Sequence, residues 1–327
     1  MVKGLYVLKS FDVIYGEAER EDVAKLIDIY APPQTPESVK DNPSILRDAE
    51  VILTGWGGPK MDEEFLAAAP NLKAVFYGAG SVRGIVTDAF WDRNIVLCSS
   101  WAANAVPVTE YLVSQILFCL KKGWHYVRWI REGGAWWQRA ERTPGACGST
   151  VAAISLGMIG RRVCRLLQPY ELKIIACTGN AELAAELNIE RVSLADAFRR
   201  GDVVSLHTPL LDETRGMITG EHFASMKPHA SFINTARGAV VREKEMIEVL
   251  RRRPDLQAVL DVTEPEPPEP GSALYTLPNV ALTPHIAGAM GDECHRMGRY
   301  MVEELRRYLH GEPLQWAIDR EKAARLA

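Results

Sequence analysis

Thr150-Val151-Ala152-Ala153-Ile154-Ser155-Leu156-Gly157-Met158-Ile159-Gly160-Arg161-Arg162-Val163-Cys164-Arg165-Leu166-Leu167 is the stretch on which the fold of this chain turns. A short apolar run predicts a strand, a glycine-bearing turn follows, and the segment from Gly160 to Leu167, ahead of Pro169, has helical spacing. Five of the six positions from Ser155 to Gly160 permit the dinucleotide fingerprint G-x-G-x-x-G; the first glycine is a serine. That fingerprint needs a tight turn, close backbone approach to a pyrophosphate, and a helix N-terminus whose amides and dipole face the anion. Gly157 and Gly160 meet the second and third needs, and Ser155 is small. The bland alternative is a simple glycine turn, against which stand the strand before, the helix after and the units that follow.

Working outward, apolar runs recur at 150–154, 173–177, 202–206, 230–234, 257–261 and 280–283, with starts 23 to 29 residues apart. Each interval holds one strand, one helix and two loops, so six units predict a parallel, doubly wound (Rossmann) sheet. The first hundred residues alternate more loosely, with strands expected at 4–8, 49–54, 74–77 and 95–98, and form a second, smaller α/β domain. Between the two, residues 105–132 carry Val108, Tyr111, Leu112, Ile116, Cys119 and Leu120 at helical spacing. The neighbouring Trp124, Trp129, Trp136 and Trp137 suit a domain or subunit junction better than a cofactor site. A further helix is expected at 292–310, and the proline-rich run 264–270 reads as a stiff surface turn.

Composition narrows the function. The 327 residues are 47% hydrophobic and 24% charged, which argues against disorder, and the length favours two domains. With 38 basic and 42 acidic side chains the net charge is −4, so no basic excess points to nucleic acid or an anionic membrane. The longest apolar stretch, 111–120, is interrupted by Ser114 and Gln115, and no membrane span is expected from it. The N-terminus lacks the apolar core of a signal peptide, and six scattered cysteines form neither a disulfide framework nor a zinc motif. A cytoplasmic protein with a small-molecule partner and no metal is expected.

In open α/β sheets ligands bind beyond the carboxyl ends of the strands. Arg237, Glu266 and His285 follow three such ends, and a guanidinium, a carboxylate and an imidazole converging there would bind an acid and transfer a proton. On spacing alone His207, at another strand end, is an equal rival for a catalytic histidine, and the bland readings are surface or core residues.

These motifs carry a resemblance. The stretches Leu206-His207-Thr208-Pro209-Leu210 with Glu213-Thr214-Arg215, Ile233-Asn234-Thr235-Ala236-Arg237-Gly238, Leu260-Asp261-Val262 to Glu266-Pro267, and Thr283-Pro284-His285-Ile286-Ala287-Gly288 are similar to the D-isomer-specific 2-hydroxyacid dehydrogenases. In the smaller domain, Tyr77-Gly78-Ala79-Gly80-Ser81-Val82-Arg83 resembles the family's glycine loop, and 103–110 its crossing into the cofactor domain. The resemblance implies a substrate domain of flavodoxin-like type made of residues 1–103 and 288–327, with a dinucleotide-binding domain, 104–287, inserted into it. It implies that Arg237 binds the carboxylate and keto oxygen of the substrate, His285 donates the proton, Glu266 orients it, and the amides of Ala79 and Gly80 hold the substrate carboxylate. His207 is thereby moved to the cofactor side, with Val108, Gly157, Met158, Ile159, Thr178, Thr208, Pro209, Thr214, Thr235, Ala236, Asp261 and Gly288, Asp261 lying near the nicotinamide carboxamide. A carboxylate beside an imidazole favours imidazolium, the form that keto-acid reduction requires.

The implied activity is hydride transfer between NAD, or NADP, and a small 2-keto or D-2-hydroxy acid, in a homodimer formed through residues 105–137. Formate dehydrogenases are near relatives but pair the histidine with glutamine, where this chain has Glu266. Two departures bear on the cofactor: Ser155, and Thr178-Gly179-Asn180 at the strand end where NAD-dependent members carry an acid. No arginine follows Thr178 at once, so weak discrimination with a modest preference for NAD is expected. Arg83 is a candidate cation at the substrate entrance, and Trp56 and Trp101 flank the loops that would set side-chain specificity. The rival reading from another class is a nucleotide-sensing binding protein with little or no turnover, which a drifted cofactor site would fit.

Overall fold

The computed structural model describes residues 1–136 and 143–325; Trp137 lies outside them. The chain forms two units, Met1–Ala105 with Ala289–Ala327, and Val106–Gly288.

The first unit holds β1 (Lys3–Tyr6), β2 (Asp28–Ile29), β3 (Val51–Thr54), β4 (Ala74–Tyr77) and β5 (Val96–Ser99), parallel throughout in the order β2-β1-β3-β4-β5. That is the flavodoxin-like order. β3 and β4 are buried at every position, as strands covered on both faces must be. The sequence showed four of these strands; β2 is two residues long and offers no alternation to detect.

The helix Glu293–His310 completes this unit, burying Cys294, Met297, Met301, Val302 and Leu305 against Tyr6, Leu53 and Phe76. Gly298 makes the approach possible, because a Cβ there would collide with the Ile14 carbonyl. Two buried carboxylates tie the helix in. Glu19 meets Arg299 at 2.6 Å and His295 at 3.4 Å. Glu304, fully buried, accepts from Arg307 (2.7 Å) and from the amides of Gln315 (3.2 Å) and Trp316 (2.9 Å), and Cys98 Sγ lies 3.5 Å away. Burial and this carboxylate push the Cys98 thiol up, keeping it a neutral thiol.

The second unit holds β6 (Thr150–Ile154), β7 (Lys173–Cys177), β8 (Glu190–Arg191), β9 (Val203–Leu206), β10 (Ser231–Asn234), β11 (Gln257–Leu260) and β12 (Val280–Leu282). All pairs are parallel, in the order β12-β11-β10-β9-β6-β7-β8. The direction of winding reverses between β6 and β9, which fixes the switch point of a doubly wound sheet. Six strands were expected here and seven are present among the described residues; β8 was missed because it is two exposed residues.

The single helix expected over 105–132 is two, Trp101–Leu120 and Gly123–Arg131, broken where Lys122 takes a left-handed φ of 52°. The first is long and apolar enough to cross a bilayer by length and composition, which the shorter stretch read from the sequence did not reveal. Its Val108, Leu112, Ile116, Cys119 and Leu120 are buried against Val151, Val203, Ile233 and Val259, the packing of a core helix.

Replacing Glu304 by Ala leaves the partly buried Arg307 guanidinium and two amides without their acceptor. We expect a loss of about 3 kcal/mol, from the cost of leaving buried partners unsatisfied, measured by urea denaturation. A variant as stable as the parent would show that solvent reaches these donors.

Candidate active site

β10, β11 and β12 are neighbours, so the loops leaving their carboxyl ends lie side by side. Asp261, directly after β11 and 2% exposed, organises them. Its Oδ1 accepts from Thr283 Oγ1 (2.6 Å) and the Ile286 amide (2.8 Å), and its Oδ2 from the Ala287 amide (2.8 Å). Since the Thr283 hydroxyl hydrogen goes to Asp261, Tyr111, 3.2 Å from Thr283 Oγ1, is the donor of that contact. Burial pushes the Tyr111 hydroxyl up, so it keeps its proton. The sequence singled out Asp261 but not these partners, 22 to 26 residues away.

The pinned segment carries His285. Its amide donates to the carbonyls of Asp261 and Thr283 (3.0 Å each), and its φ is 54°. A left-handed conformation costs a residue with a Cβ roughly 1–2 kcal/mol, which the fixed loop ends must supply. His285 Nδ1 lies 2.6 Å from Glu266 Oε1, both side chains half-exposed. A carboxylate only accepts, so Nδ1 carries a hydrogen and Nε2 is left for an outside partner.

Arg237 leaves β10 through a turn built by buried Asn234, whose Oδ1 accepts from the Ala236 amide (2.9 Å) and whose Nδ2 donates to the Arg237 carbonyl (3.1 Å). Arg237 Nη1 donates to the Ala236 carbonyl at 2.6 Å. Gly238 is required next, because a Cβ there would collide with the backbone of Thr263. Arg237, Glu266 and His285 are thus brought to one edge of one sheet by three adjacent strand ends.

The nucleotide loop lies at the end of β6. Ser155 occupies φ 77°, the left-handed region that explains the usual glycine, and its amide donates to the Cys177 carbonyl at 2.8 Å. Its carbonyl would collide with any Cβ at Gly160, so Gly160 lets the helix Met158–Leu167 pack against the strand. Gly157 caps that helix without a side-chain bond, no acid stands in the first turn, and nothing lies within 4 Å of its Cβ direction. A helix start with no side-chain cap and no acid in its first turn leaves the amides of Met158 and Ile159 to fit an anion such as a pyrophosphate.

His207 is buried with neither ring nitrogen hydrogen-bonded, and burial pushes it down to about 4. It is therefore neutral near pH 7, which argues against it as an acid and leaves two orphaned nitrogens beside Gly160, as a cofactor-facing residue would have. Thr208 Oγ1 reaches the Ile154 carbonyl at 3.4 Å, and Thr214 Oγ1 closes the next loop on the Pro209 carbonyl at 2.7 Å. Val108 and Thr235 are buried, and Gly288 ends the unit. At the end of β7, Thr178 Oγ1 accepts from the Asn180 amide (3.1 Å), and Arg191 of β8 donates from Nε to the Thr178 carbonyl (3.2 Å). The sequence did not reveal that arginine.

In the first unit, Ala79 and Gly80 follow β4, and Ser99 Oγ donates to their carbonyls at 2.8 and 2.6 Å. The Ala79 amide closes on the Tyr77 carbonyl (2.8 Å), whereas the Gly80 amide is unengaged among the described residues. Arg83 is tied to the Ala324 carbonyl at 2.7 Å, and Trp101 stacks edge-on with Trp316.

Residues 113–287 match the model of the D-isomer specific 2-hydroxyacid dehydrogenase, NAD binding domain. The chain is similar to the (S)-sulfolactate dehydrogenase of Chromohalobacter salexigens, 34% identical over 253 residues, which cover 76% of this chain and 82% of that one. It is also similar to the glyoxylate reductase of Aeropyrum pernix, 30% identical over 287 residues and 84% of each chain. Among solved structures it superposes on the TT0316 protein from Thermus thermophilus with a TM-score of 0.79 and 25% identity, covering 97% of this chain and 100% of the other.

The Asp261→Asn variant turns an amide donor toward one of the backbone amides that the carboxylate accepts from. We expect amides from His285 to Ala287 to exchange hydrogen at least about tenfold faster while β10 and β11 stay protected, since one unmet bond of this kind costs about 1–3 kcal/mol. Unchanged exchange in that segment would show that Asp261 does not hold it.

Proposed function

The chain belongs to the D-isomer-specific 2-hydroxyacid dehydrogenases, and on that premise we propose that Arg237, Glu266 and His285 carry its interconversion of a small 2-keto acid and the D-2-hydroxy acid. It is an NAD(P)-dependent oxidoreductase. The observation that carries the assignment of roles is the 2.6 Å bond between His285 and Glu266, on a segment fixed by Asp261.

Arg237 pairs its planar fork with the substrate carboxylate and draws electron density toward the keto oxygen. His285, protonated on both nitrogens, gives the Nε2 proton to that oxygen as the carbonyl carbon is reduced. Glu266 keeps Nδ1 protonated throughout, so the imidazole returns to its neutral form without turning. When bound, the nicotinamide supplies the hydride in reduction and accepts it in oxidation. Residues Gly157, Met158 and Ile159 would hold the pyrophosphate with their amides, and His207, Thr208, Pro209, Thr214, Thr235, Ala236, Val108 and Gly288 would line the rest of the cofactor site. The Gly80 amide is a further donor for a carboxylate.

A non-turnover nucleotide sensor finds no support, since the relatives named above are a dehydrogenase and a reductase and binding alone would not need the acid–base pair. Exposed Phe118, Val127, Ile130 and Trp136, the last 72% accessible, suit coverage by a second copy in a homodimer. Free cysteines, four of them buried, suit the cytoplasm.

Kinetics with glyoxylate, hydroxypyruvate, pyruvate and bulkier keto acids test the reading. Arg237→Lys keeps the charge and loses the fork, so kcat/KM should fall at least about tenfold, ~1.4 kcal/mol, with cofactor affinity much less affected. Unaltered keto-acid kinetics would remove Arg237 from the substrate site. Glu266→Gln keeps a hydrogen-bond partner for Nδ1 and removes the negative charge that offsets a charged imidazole, so kcat should fall at least about tenfold with KM much less affected. A His207→Asn variant that loses reduction while His285→Asn keeps it would identify His207 as the donor.

A further inference from the structure

We propose that Arg191 and Thr178 form a subsite for a phosphate on the adenosine 2′-oxygen, so that this chain prefers NADP(H) to NAD(H). The proposal rests on the dinucleotide reading of the β6 loop and goes beyond it in choosing the cofactor.

In a doubly wound sheet the strand after the fingerprint strand ends beside the adenosine ribose, where a carboxylate would bond the hydroxyls and repel a phosphate. β7 ends in Cys177 and is followed by Thr178-Gly179-Asn180, so the repelling charge is missing. The local sequence offers no cation in return, and for that reason it favoured NAD. The structure supplies one from β8, whose Arg191 is in register with Ala176 of β7. The Arg191 Nε donates to the Thr178 carbonyl at 3.2 Å, which anchors the guanidinium at the strand end and leaves its terminal amino groups as donors.

The surrounding charges reinforce the point. Glu190, next to Arg191, is gripped by both terminal nitrogens of Arg200 at 2.7 Å and approached by Lys173 at 3.7 Å, and its carboxyl is held below the usual range by these cations. Among the described residues no carboxylate forms an ion pair with Arg191. The Thr178 hydroxyl accepts from the Asn180 amide (3.1 Å), so its own hydrogen remains for an outside acceptor. A Cβ at Gly179 would meet nothing within 4 Å, so the backbone beside these donors is open. An anchored guanidinium, a hydroxyl donor and open space suit a phosphate monoester, which Arg grips through paired bonds.

Calorimetric titration of the cofactor-free protein with 2′,5′-ADP and with 5′-ADP tests this without turnover. The parent should bind 2′,5′-ADP at least about tenfold more tightly than 5′-ADP. Arg191→Gln, at an exposed position, should abolish that advantage while leaving 5′-ADP within about twofold. Thr178→Asp, which restores the repelling carboxylate and gives Arg191 an internal partner, should also remove it. Equal binding of the two nucleotides by the parent, or an advantage that survives Arg191→Gln, overturns the proposal and leaves the dinucleotide site standing. Failure of both nucleotides to bind overturns the dinucleotide reading and this proposal together.

Discussion

The buried carboxylate of Asp261 is the constraint on which the rest of the candidate site depends. Taking a charge out of water is costly unless hydrogen bonds replace the lost solvent, and here one hydroxyl and two amides do so. All three donors belong to the segment after β12, so satisfying one side chain fixes the path of another strand's exit. That path holds His285 in a backbone conformation it would not choose alone. The imidazole therefore meets Glu266 with an orientation set by the sheet, the arrangement that proton transfer demands of a rigid scaffold.

Close backbone approach is the second organising element. Gly160 and Gly238 lie where a Cβ would strike a neighbouring carbonyl or peptide, and each joins a strand end to the structure beside it. Ser155 is the opposite case, a residue with a Cβ where φ is 77°. It keeps the turn but carries strain that a glycine would not, while the collision-sensitive position, Gly160, is unchanged.

What was legible in the sequence follows from the range of the forces involved. The large parallel sheet was readable because its strands are centred on short buried apolar runs, such as Val151–Ile154 in β6, Val203-Val204 in β9 and Phe232-Ile233 in β10. β2 and β8 were not, since two residues cannot display a period. The helix break at Lys122 is a backbone event on a polar pair that leaves the apolar spacing of Val108 to Leu120 intact. Arg237, Glu266 and His285 were named from motifs. Their supports were not, because Asp261 and its donors meet only after β11 and β12 pair. The engagement of the Ala79 amide and the reach of Arg191 to Thr178 are likewise products of folding, with no local pattern to announce them.

The insertion of one unit into the other has a consequence during synthesis. The second unit is one continuous stretch, Val106–Gly288, and all of its strands have been synthesised before the helix Glu293–His310 is begun. Ribosomes add roughly 5–20 residues per second, so the first unit's sheet waits about 10–40 s for the roughly two hundred residues between Ala105 and the end of that helix. Throughout that interval Tyr6, Leu53 and Phe76 lack the cover that Met297, Met301 and Leu305 later provide. The unit whose strands are translated first is therefore the unit that finishes folding last.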